Sequence, residues 1–496
     1  MRMSLREIKK AYDLLKGYAR KSLDAGRFEE AQGYIHNCVI LASQFNWIYT
    51  DAELNAIERE IGKALVTKRV EDYCADEERV VFFDDHCVTF ILAIQYLEAL
   101  VKAGKKVRFV TCRPYHKKDN GIIFSNYITK IKGLEIVRID EPDFGLRKQK
   151  IYDTIVGFKP SKLLLHIETD SVVLPVLYTL PKQITKYLIN LQDQTFWLGK
   201  DVFDYSIEFR PFGASISLER RGLKKEQLLM LPFYPVYDKN PFEGFPKEAE
   251  GHVTIFSGGD LYKTLDTQGA YWRLVKRILD VHPDVRFLFA TKNNPFGRKV
   301  IDDFVVSNHF EDRFFYIGFR KDIFEVLRHC DIYMGTSPTS GSLMSQLAAI
   351  NAKPILQYYY PGTPDDETEQ ALCINDQFPI SFHDEDAFMQ EADQLIKDTN
   401  YRKAQGERIQ KAMIQPEQFD KALIQLLETN ESPFPVEIRD VNHHLIGERW
   451  YEQEKHGFTN NMSYVYSRIR KNDILRFIPS LYVKKQIETI KNLWKK

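Results

Sequence analysis

The sequence has no excess of charge of either sign, since its 496 residues contain 69 Lys+Arg and 69 Asp+Glu. A dedicated nucleic-acid binder normally shows a basic excess, so we expect no nucleic-acid partner. No apolar run reaches the roughly 18 residues that a membrane-spanning helix needs. The first residues, MRMSLREIKK, lack the apolar stretch of a signal peptide, and we therefore expect a cytoplasmic protein.

Cysteine is scarce as well. The six cysteines are scattered, and no two of them form a CxxC pair: Cys38, Cys74, Cys87, Cys112, Cys330 and Cys373. This usage fits a reducing compartment and argues against both a disulfide framework and a zinc site. Asp84 and Asp85 form the only close acidic pair after a predicted strand, and they lack the DxD spacing. We therefore expect no metal site.

Apolar residues are plentiful, and their spacing divides the chain. Hydrophobic residues make up 44% of the sequence, which is typical of a globular protein, and 496 residues exceed what one core organises. Residues 1–67 repeat apolar positions at helical spacing and predict a small helical N-terminal cap. Residues 429–496 form a C-terminal extension that ends in a helical tail.

Between these ends, short apolar strands alternate with helices in two series. RVVFFDD, KVRFVTC and KLLLHI are examples from residues 68–235, and HVTIFS, VRFLFAT and KPILQYY are examples from residues 236–428. Such alternation predicts α/β domains with parallel, doubly wound sheets. A segment rich in proline, glycine and charge, 234–251, separates the two series. We therefore predict two Rossmann-like domains that face a cleft, with ligands beyond the carboxyl ends of the strands.

Three loops of the second domain carry residues that suit an anion. Glycines permit a sharp turn or a close approach, serine and threonine hydroxyls donate hydrogen bonds, and helix starts bind phosphate. The first loop contains Ser257, Gly258, Gly259 and Lys263; the second contains Gly318, Phe319 and Arg320; the third contains Thr339, Ser340, Gly341 and Ser342. These residues are our predicted substrate-binding set in this domain.

The order of these motifs, strand–GG–Lys, then GFxx[DE][IL], then [ST]SG[ST] followed by KP[IV], resembles the donor half of GT-B glycosyltransferases. The resemblance implies a nucleotide-sugar donor, here expected to be UDP-linked, with no cofactor. It implies that the middle loop contacts the base and that the last helix start contacts the ribose and diphosphate. Lys263 and Arg320 are then expected to stabilise the leaving diphosphate without a metal.

One departure from the family pattern bears on the reaction. Many retaining GT-B enzymes carry two glutamates eight positions apart around the last motif, and Thr339 and Leu347 occupy these positions here. This favours an inverting enzyme and leaves a non-catalytic GT-B-like scaffold open. Epimerisation of a sugar nucleotide on the same fold is a third alternative.

An inverting transfer needs a general base near the acceptor, and the first domain offers candidates after its strands. Asp193 follows the KYLINL strand and is our first choice, although it could instead cap a turn. His86 follows the first strand and is the second choice, with a structural role at a helix start as its alternative. The segment DxxFWLG, which begins at Asp193, is similar to bacterial relatives of O-linked N-acetylglucosamine transferases.

Two further residues of this domain are predicted to bind substrate. Trp197, beside Phe196, could pack its ring on the C–H face of a sugar, but aromatic residues in this position are core residues by default. His166 lies near the end of the KLLLHI strand, where a core histidine is the more common case. The predicted acceptor is a carbohydrate or a lipid-linked molecule, in surface polysaccharide or glycan biosynthesis.

The C-terminal tail is strongly basic. Residues 468–496 contain nine Lys/Arg against Asp473 and Glu488, a balance of +7, in a chain with no net charge. Apolar residues including Trp494 lie among these charges, which suits a surface helix on anionic lipid. A helix that packs across the two domains is the alternative.

Overall fold

The structure is a computed structural model. It describes residues 4–442, with gaps at 86–91, 113–126, 170, 238–239, 293–294, 360–366 and 373–379. In the C-terminal extension it also describes residues 448, 451, 465, 467–469, 471–477, 479, 482 and 483. His86 and Trp494 therefore lie outside the described residues.

The helices and strands alternate as the sequence predicts. The strands are β1 (Asp76–Asp84), β2 (Lys106–Thr111), β3 (Leu134–Arg138), β4 (Pro160–His166), β5 (Thr185–Ile189), β6 (Tyr205–Glu208), β7 (Leu228–Met230), β8 (Val253–Gly258), β9 (Val285–Ala290), β10 (Phe314–Tyr316), β11 (Ile332–Met334), β12 (Ile355–Tyr358) and β13 (Ser381–Phe382). The helices are α1 (Leu5–Asp24), α2 (Phe28–Phe45), α3 (Ala52–Leu65), α4 (Leu92–Lys102), α5 (Phe144–Val156), α6 (Leu174–Leu177), α7 (Pro211–Glu219), α8 (Ala270–Val281), α9 (Pro295–Asn308), α10 (Ile323–His329), α11 (Ser342–Ile350), α12 (Glu367–Ala371), α13 (Glu385–Lys397), α14 (Thr399–Ala412), α15 (Pro416–Thr429) and α16 (Lys471–Phe477).

Two parallel sheets are present among the described residues. The first has seven strands in the order β3-β2-β1-β4-β5-β6-β7, and the second has six in the order β10-β9-β8-β11-β12-β13. In each sheet the chain begins near the middle, runs to one edge, and returns to build the other half. The residues that follow the central strands therefore gather at one end of each sheet, where a crevice forms.

Each sheet is covered on both faces, as a doubly wound sheet requires. In β1, Val81 and Phe83 pack in the core under α1–α3, whereas Val80 and Phe82 pack on the opposite face with α4. This alternation explains why the strand is apolar throughout. The second sheet is likewise buried between two apolar clusters. The prediction of an α/β protein with two doubly wound domains is confirmed.

The first helices form a cap on the first sheet. Ser4 and Glu7 form a capping box that starts α1, and the Asp51 side chain accepts hydrogen bonds from the first turn of α3. Apolar residues of these helices merge with the core of the first sheet. Helix α15, from the far end of the second domain's sequence, also packs on the first sheet, with Phe419 and Leu423 fully buried.

The described part of the tail packs on the helical cap. Asp473 in α16 accepts a hydrogen bond from Asn37 Nδ2 at 3.0 Å, and the Arg476 guanidinium lies 4.2 Å from the ring centre of Tyr18. Ile474 is fully buried in the core of the first domain. Membrane contact by the remaining tail stays a prediction. No helix in the described part of the chain combines the length and the apolar character needed to cross a bilayer.

Candidate active site

The carboxyl ends of the two sheets face each other. Phe212, at the start of the helix after β6, donates its backbone N–H to Gln370 Oε1 of α12, at 2.6 Å. Gln346 of α11 donates through Nε2 to the carbonyl of Phe233, which follows β7, at 3.3 Å. All four residues follow the carboxyl ends of strands, so these contacts join the edges at which ligands bind in such sheets.

The two adjacent glycines at the end of β8, Gly258 and Gly259, are required for different structural reasons. A Cβ on Gly258 would lie 3.0 Å from both the Ala290 carbonyl oxygen and the Phe256 ring, so this position is tightly packed. Gly259 has a φ of +148°, which favours glycine, and its N–H donates to Ala290. Ser257 is buried, and its hydroxyl accepts a hydrogen bond from the Tyr271 hydroxyl at 2.7 Å, so its predicted contact with substrate gains no support from this position.

Lys263 joins the first loop to the third. Its Nζ lies 3.8 Å from the position that a Cβ on Gly341 would take, and its carbonyl accepts a hydrogen bond from Thr339 N at 3.3 Å. Gly341 is the N-cap of α11, and no side chain caps this helix start. The ammonium group and the positive end of the helix therefore lie side by side, as an anion site requires.

The third loop is fixed from below and carries buried hydroxyls. A Cβ on Gly335 would meet Gln357 Oε1 at 1.8 Å, and Gln357 Nε2 donates to the Thr336 carbonyl at 3.0 Å. The hydroxyl oxygens of Ser337 and Thr339 are buried and make no hydrogen bond to any described residue. A buried hydroxyl without a partner is costly, so such donors beside a cationic helix start indicate a ligand site.

The middle loop separates one exposed side chain from one that is buried. Gly318 has a φ of +71° and is followed by Phe319, which is 62% exposed and can stack on a planar ligand. Arg320 instead donates to both carboxylate oxygens of Asp322, at 2.7 and 2.6 Å, and to the Gly244 carbonyl. Burial alone raises the pKa of Asp322, but the hydrogen bonds and the charge of Arg320 outweigh it. The pKa of Asp322 is therefore lower than its usual value.

Arg320 therefore holds the linker between the domains in this structure. Arg320 contacts the Asp322 carboxylate and the Gly244 carbonyl, which belongs to the linker segment 240–246. The backbone N–H of Glu243, in the same segment, donates to the Asp322 carboxylate. The predicted contact of Arg320 with a leaving diphosphate has no support in this arrangement. Ser340 and Ser342 are partly exposed at the start of α11, where the prediction places them.

In the first domain, Asp193 is part of a buried ion pair. Arg210 donates to its two carboxylate oxygens at 2.6 and 3.0 Å, and Asp193 is fully buried. The Asp193 carbonyl accepts a further bond from Arg221, whose burial lowers its pKa to about 10. A general base must reach the acceptor hydroxyl, and this carboxylate faces arginine instead. Its arrangement is that of a structural residue.

The other predicted residues of this domain are also buried. Trp197 packs in the core, with the Arg221 guanidinium 4.6 Å from its ring centre, and Phe196 is fully buried beside it. His166 Nδ1 lies 2.5 Å from Asp84 Oδ1, and both side chains are buried at the ends of β4 and β1. These surroundings match the alternative interpretation, in which Trp197 and His166 are core residues. The role of His86 stays a prediction.

Sequence reasoning missed the partners of the charged residues. Arg210 and Arg221 hold Asp193 in place. In the sequence, they stand out only as the first residue of the RPFG segment and as part of the arginine pair after α7. The unpartnered hydroxyl of Ser337 was missed because its burial depends on packing. Among the described residues, no group of three or more His, Cys, Asp or Glu side chains is arranged to hold a metal ion.

Comparison with solved structures identifies the architecture. HepE of Anabaena, in complex with UDP and glucose, matches 71% of this chain and 99% of its own with a TM-score of 0.51 and 11% identity. A mutant O-GlcNAc transferase of Thermobaculum terrenum matches 91% of this chain and 85% of its own, with a TM-score of 0.51 and 10% identity. Neither the protein-family models nor the curated proteins gave a match to the sequence. The likeness concerns the fold, and the chain has the GT-B fold that its motifs resemble.

Proposed function

We propose that the protein is a glycosyltransferase that moves a sugar from a UDP-linked donor to a carbohydrate or lipid-linked acceptor. One observation carries the proposal. Lys263 lies beside the uncapped start of α11, and the buried hydroxyls of Ser337 and Thr339 lie in the adjacent loop. A diphosphate supplies the negative charge and acceptor oxygens that such donors need.

The donor half orders the parts of a nucleotide sugar along the edge of its sheet. The diphosphate contacts Lys263 and the backbone N–H groups at the start of α11, and Phe319 stacks on the base. The crystal structures of HepE with UDP and glucose support a uridine nucleotide. The cation and the helix start stabilise the leaving UDP, so the reaction needs no metal.

We infer that the transfer is inverting, because Thr339 and Leu347 stand where retaining relatives carry glutamates. The acceptor oxygen then displaces UDP from the sugar in a single step, with a general base supplied by the first domain. The acceptor binds at the carboxyl end of the first sheet, opposite the donor loops. The basic tail places the enzyme at the inner face of a membrane, where lipid-linked acceptors of surface polysaccharide or glycan synthesis are found.

The experiment that tests this is a panel of nucleotide sugars incubated with the full chain, with products followed by mass spectrometry. Release of UDP and free or transferred sugar from one donor supports transfer. A changed sugar still attached to UDP supports epimerisation instead. Absence of UDP binding in calorimetry supports a scaffold, for which the buried pairing of Asp193 is the favouring observation. Cleavage of a GDP- or ADP-linked sugar instead would show that the nucleobase of the donor is not uracil.

A further inference from the structure

The acidic side chains at the carboxyl end of the first sheet are not equivalent. Four of them are buried to at least 96%, and each is hydrogen-bonded to neighbouring protein groups: Asp84, Asp85, Asp193 and Glu208. Glu168, two residues after β4, is partly exposed at the same edge. A carboxylate that reacts with an acceptor must be accessible, and of these five carboxylates Glu168 alone is partly exposed.

Glu168 is held in place by two neighbouring strands. Its backbone N–H donates to Asp85 Oδ1 at 2.9 Å, and the Ser171 hydroxyl donates to the other oxygen of Asp85. The Ser171 N–H also donates to the Glu168 carbonyl at 3.2 Å, which closes the turn. Gln192, after β5, donates through Nε2 to Glu168 Oε2 at 3.0 Å. Backbone and side chain are thus both positioned before any substrate binds.

A pocket lies directly beside this carboxylate. It has a volume of about 20 Å³, which leaves room for one water molecule or one hydroxyl group, and its walls come from the loops after β4 and β5. Glu168 and Gln192 line it together with Asn190 and the Trp197 ring. The Trp197 Nε1 is buried and makes no hydrogen bond to a described residue. Polar donors and acceptors on an apolar wall suit a single hydroxyl group of a sugar whose ring stays outside the pocket.

We propose that Glu168 is the general base of the transfer and that this pocket receives the reacting hydroxyl group of the acceptor. The inference rests on the proposed function, which it deepens by naming the acceptor-side residues. Glu168 takes the proton of the acceptor hydroxyl while that oxygen forms its bond to the anomeric carbon. The bond from that carbon to the diphosphate oxygen breaks, and UDP leaves with the electron pair. Glu168 is then a carboxylic acid and returns its proton to water.

The test uses the full chain, the donor that the wild type cleaves, and water or a glycoside as acceptor. Glu168→Gln keeps the shape and the Gln192 contact but removes the base. We expect turnover to fall by about 10²–10⁴-fold, the usual contribution of a general base, with UDP affinity unchanged in calorimetry. The matched control is Glu141→Gln, a partly exposed glutamate after β3 at the same sheet edge, which should keep its turnover.

Chemical rescue separates catalysis from a structural role. Glu168→Ala should regain turnover with added formate, which replaces the missing carboxylate, whereas Glu141→Ala should not respond. Near-normal turnover of Glu168→Gln, or no rescue of a folded Glu168→Ala, would overturn the inference while transfer itself stands. A wild type that binds UDP but turns over no donor would refute the proposed function, and the role of Glu168 with it.

Discussion

Asp193→Asn separates the two roles that this residue could have. The substitution keeps the shape of the side chain and removes its charge, so Arg210 loses its ion pair with Asp193 while it stays buried. Arg210 is 94% buried in its side chain and Asp193 is 99% buried, so little water can replace the lost partner. If the ion pair is structural, the loss should appear in the stability of the first domain.

The size of the effect follows from the geometry. Two unit charges 4 Å apart attract by about 4 kcal/mol at an effective dielectric constant of 20. Removal of one partner from a buried ion pair costs about 3–5 kcal/mol, because the remaining charge is not compensated. For a domain of this size, about 2–4 °C per kcal/mol gives a Tm lower by about 6–20 °C.

The assay is thermal unfolding of the full chain, read by a probe in the first domain. Asp193→Leu combined with Arg210→Met removes both charges, and this double variant should recover most of the lost stability. UDP affinity should be unchanged in the folded single variant, since the donor loops lie in the other domain. An Asp193→Asn protein that keeps its Tm but loses transfer would refute this reasoning and restore Asp193 as the base.

Three further predictions concern the donor site and the tail. Lys263→Ala should weaken UDP binding by about 1.5–3 kcal/mol, or roughly 10–150-fold in calorimetry, whereas Lys276→Ala on the surface of α8 should have no effect. Phe319→Ala should weaken UDP binding by about 1–3 kcal/mol but leave inorganic diphosphate binding unchanged; an equal loss for both ligands would contradict stacking on the base. Deletion of residues 468–496 should abolish co-sedimentation with anionic vesicles, because each basic residue near an anionic membrane contributes about 1 kcal/mol of binding free energy. The deletion should also lower the Tm, because α16 packs on the cap. Binding that persists in high salt or on neutral vesicles would exclude the electrostatic contact.

The fold and the proximity of the first and third loops of the second domain were largely predictable from the sequence. The β-branched and aromatic runs of 68–235 and 252–382 predict strands because such side chains pack on both faces of a parallel sheet. Parallel strands place their carboxyl ends at one edge, so loops distant in sequence can be brought together without knowing their contacts. The proximity of Lys263 to the start of α11 follows from this rule and is found in the structure.

The partners of individual charged groups were not predictable in this way. A strand that ends at Ile189 places Asp193 near the cleft, but the direction of the Asp193 side chain depends on where α7 begins and what Arg210 contacts. The same holds for Arg320, whose nearest carboxylate is only two residues away. Burial decides between structure and catalysis for such residues, and burial is a property of the packed domains.

The first domain is where the alternative reactions on this fold diverge. Under the proposed function, transfer and epimerisation use the same UDP site around Lys263, so we expect variants of Lys263 to weaken either activity alike. A transferase needs in addition a group that accepts a proton from a second substrate, and the partly exposed Glu168 beside its pocket has the position for this. Competition by glycosides against water in the cleavage of the donor therefore reports on the pocket directly. An enzyme whose Glu168→Gln variant loses water and glycoside transfer together uses one base for both acceptors.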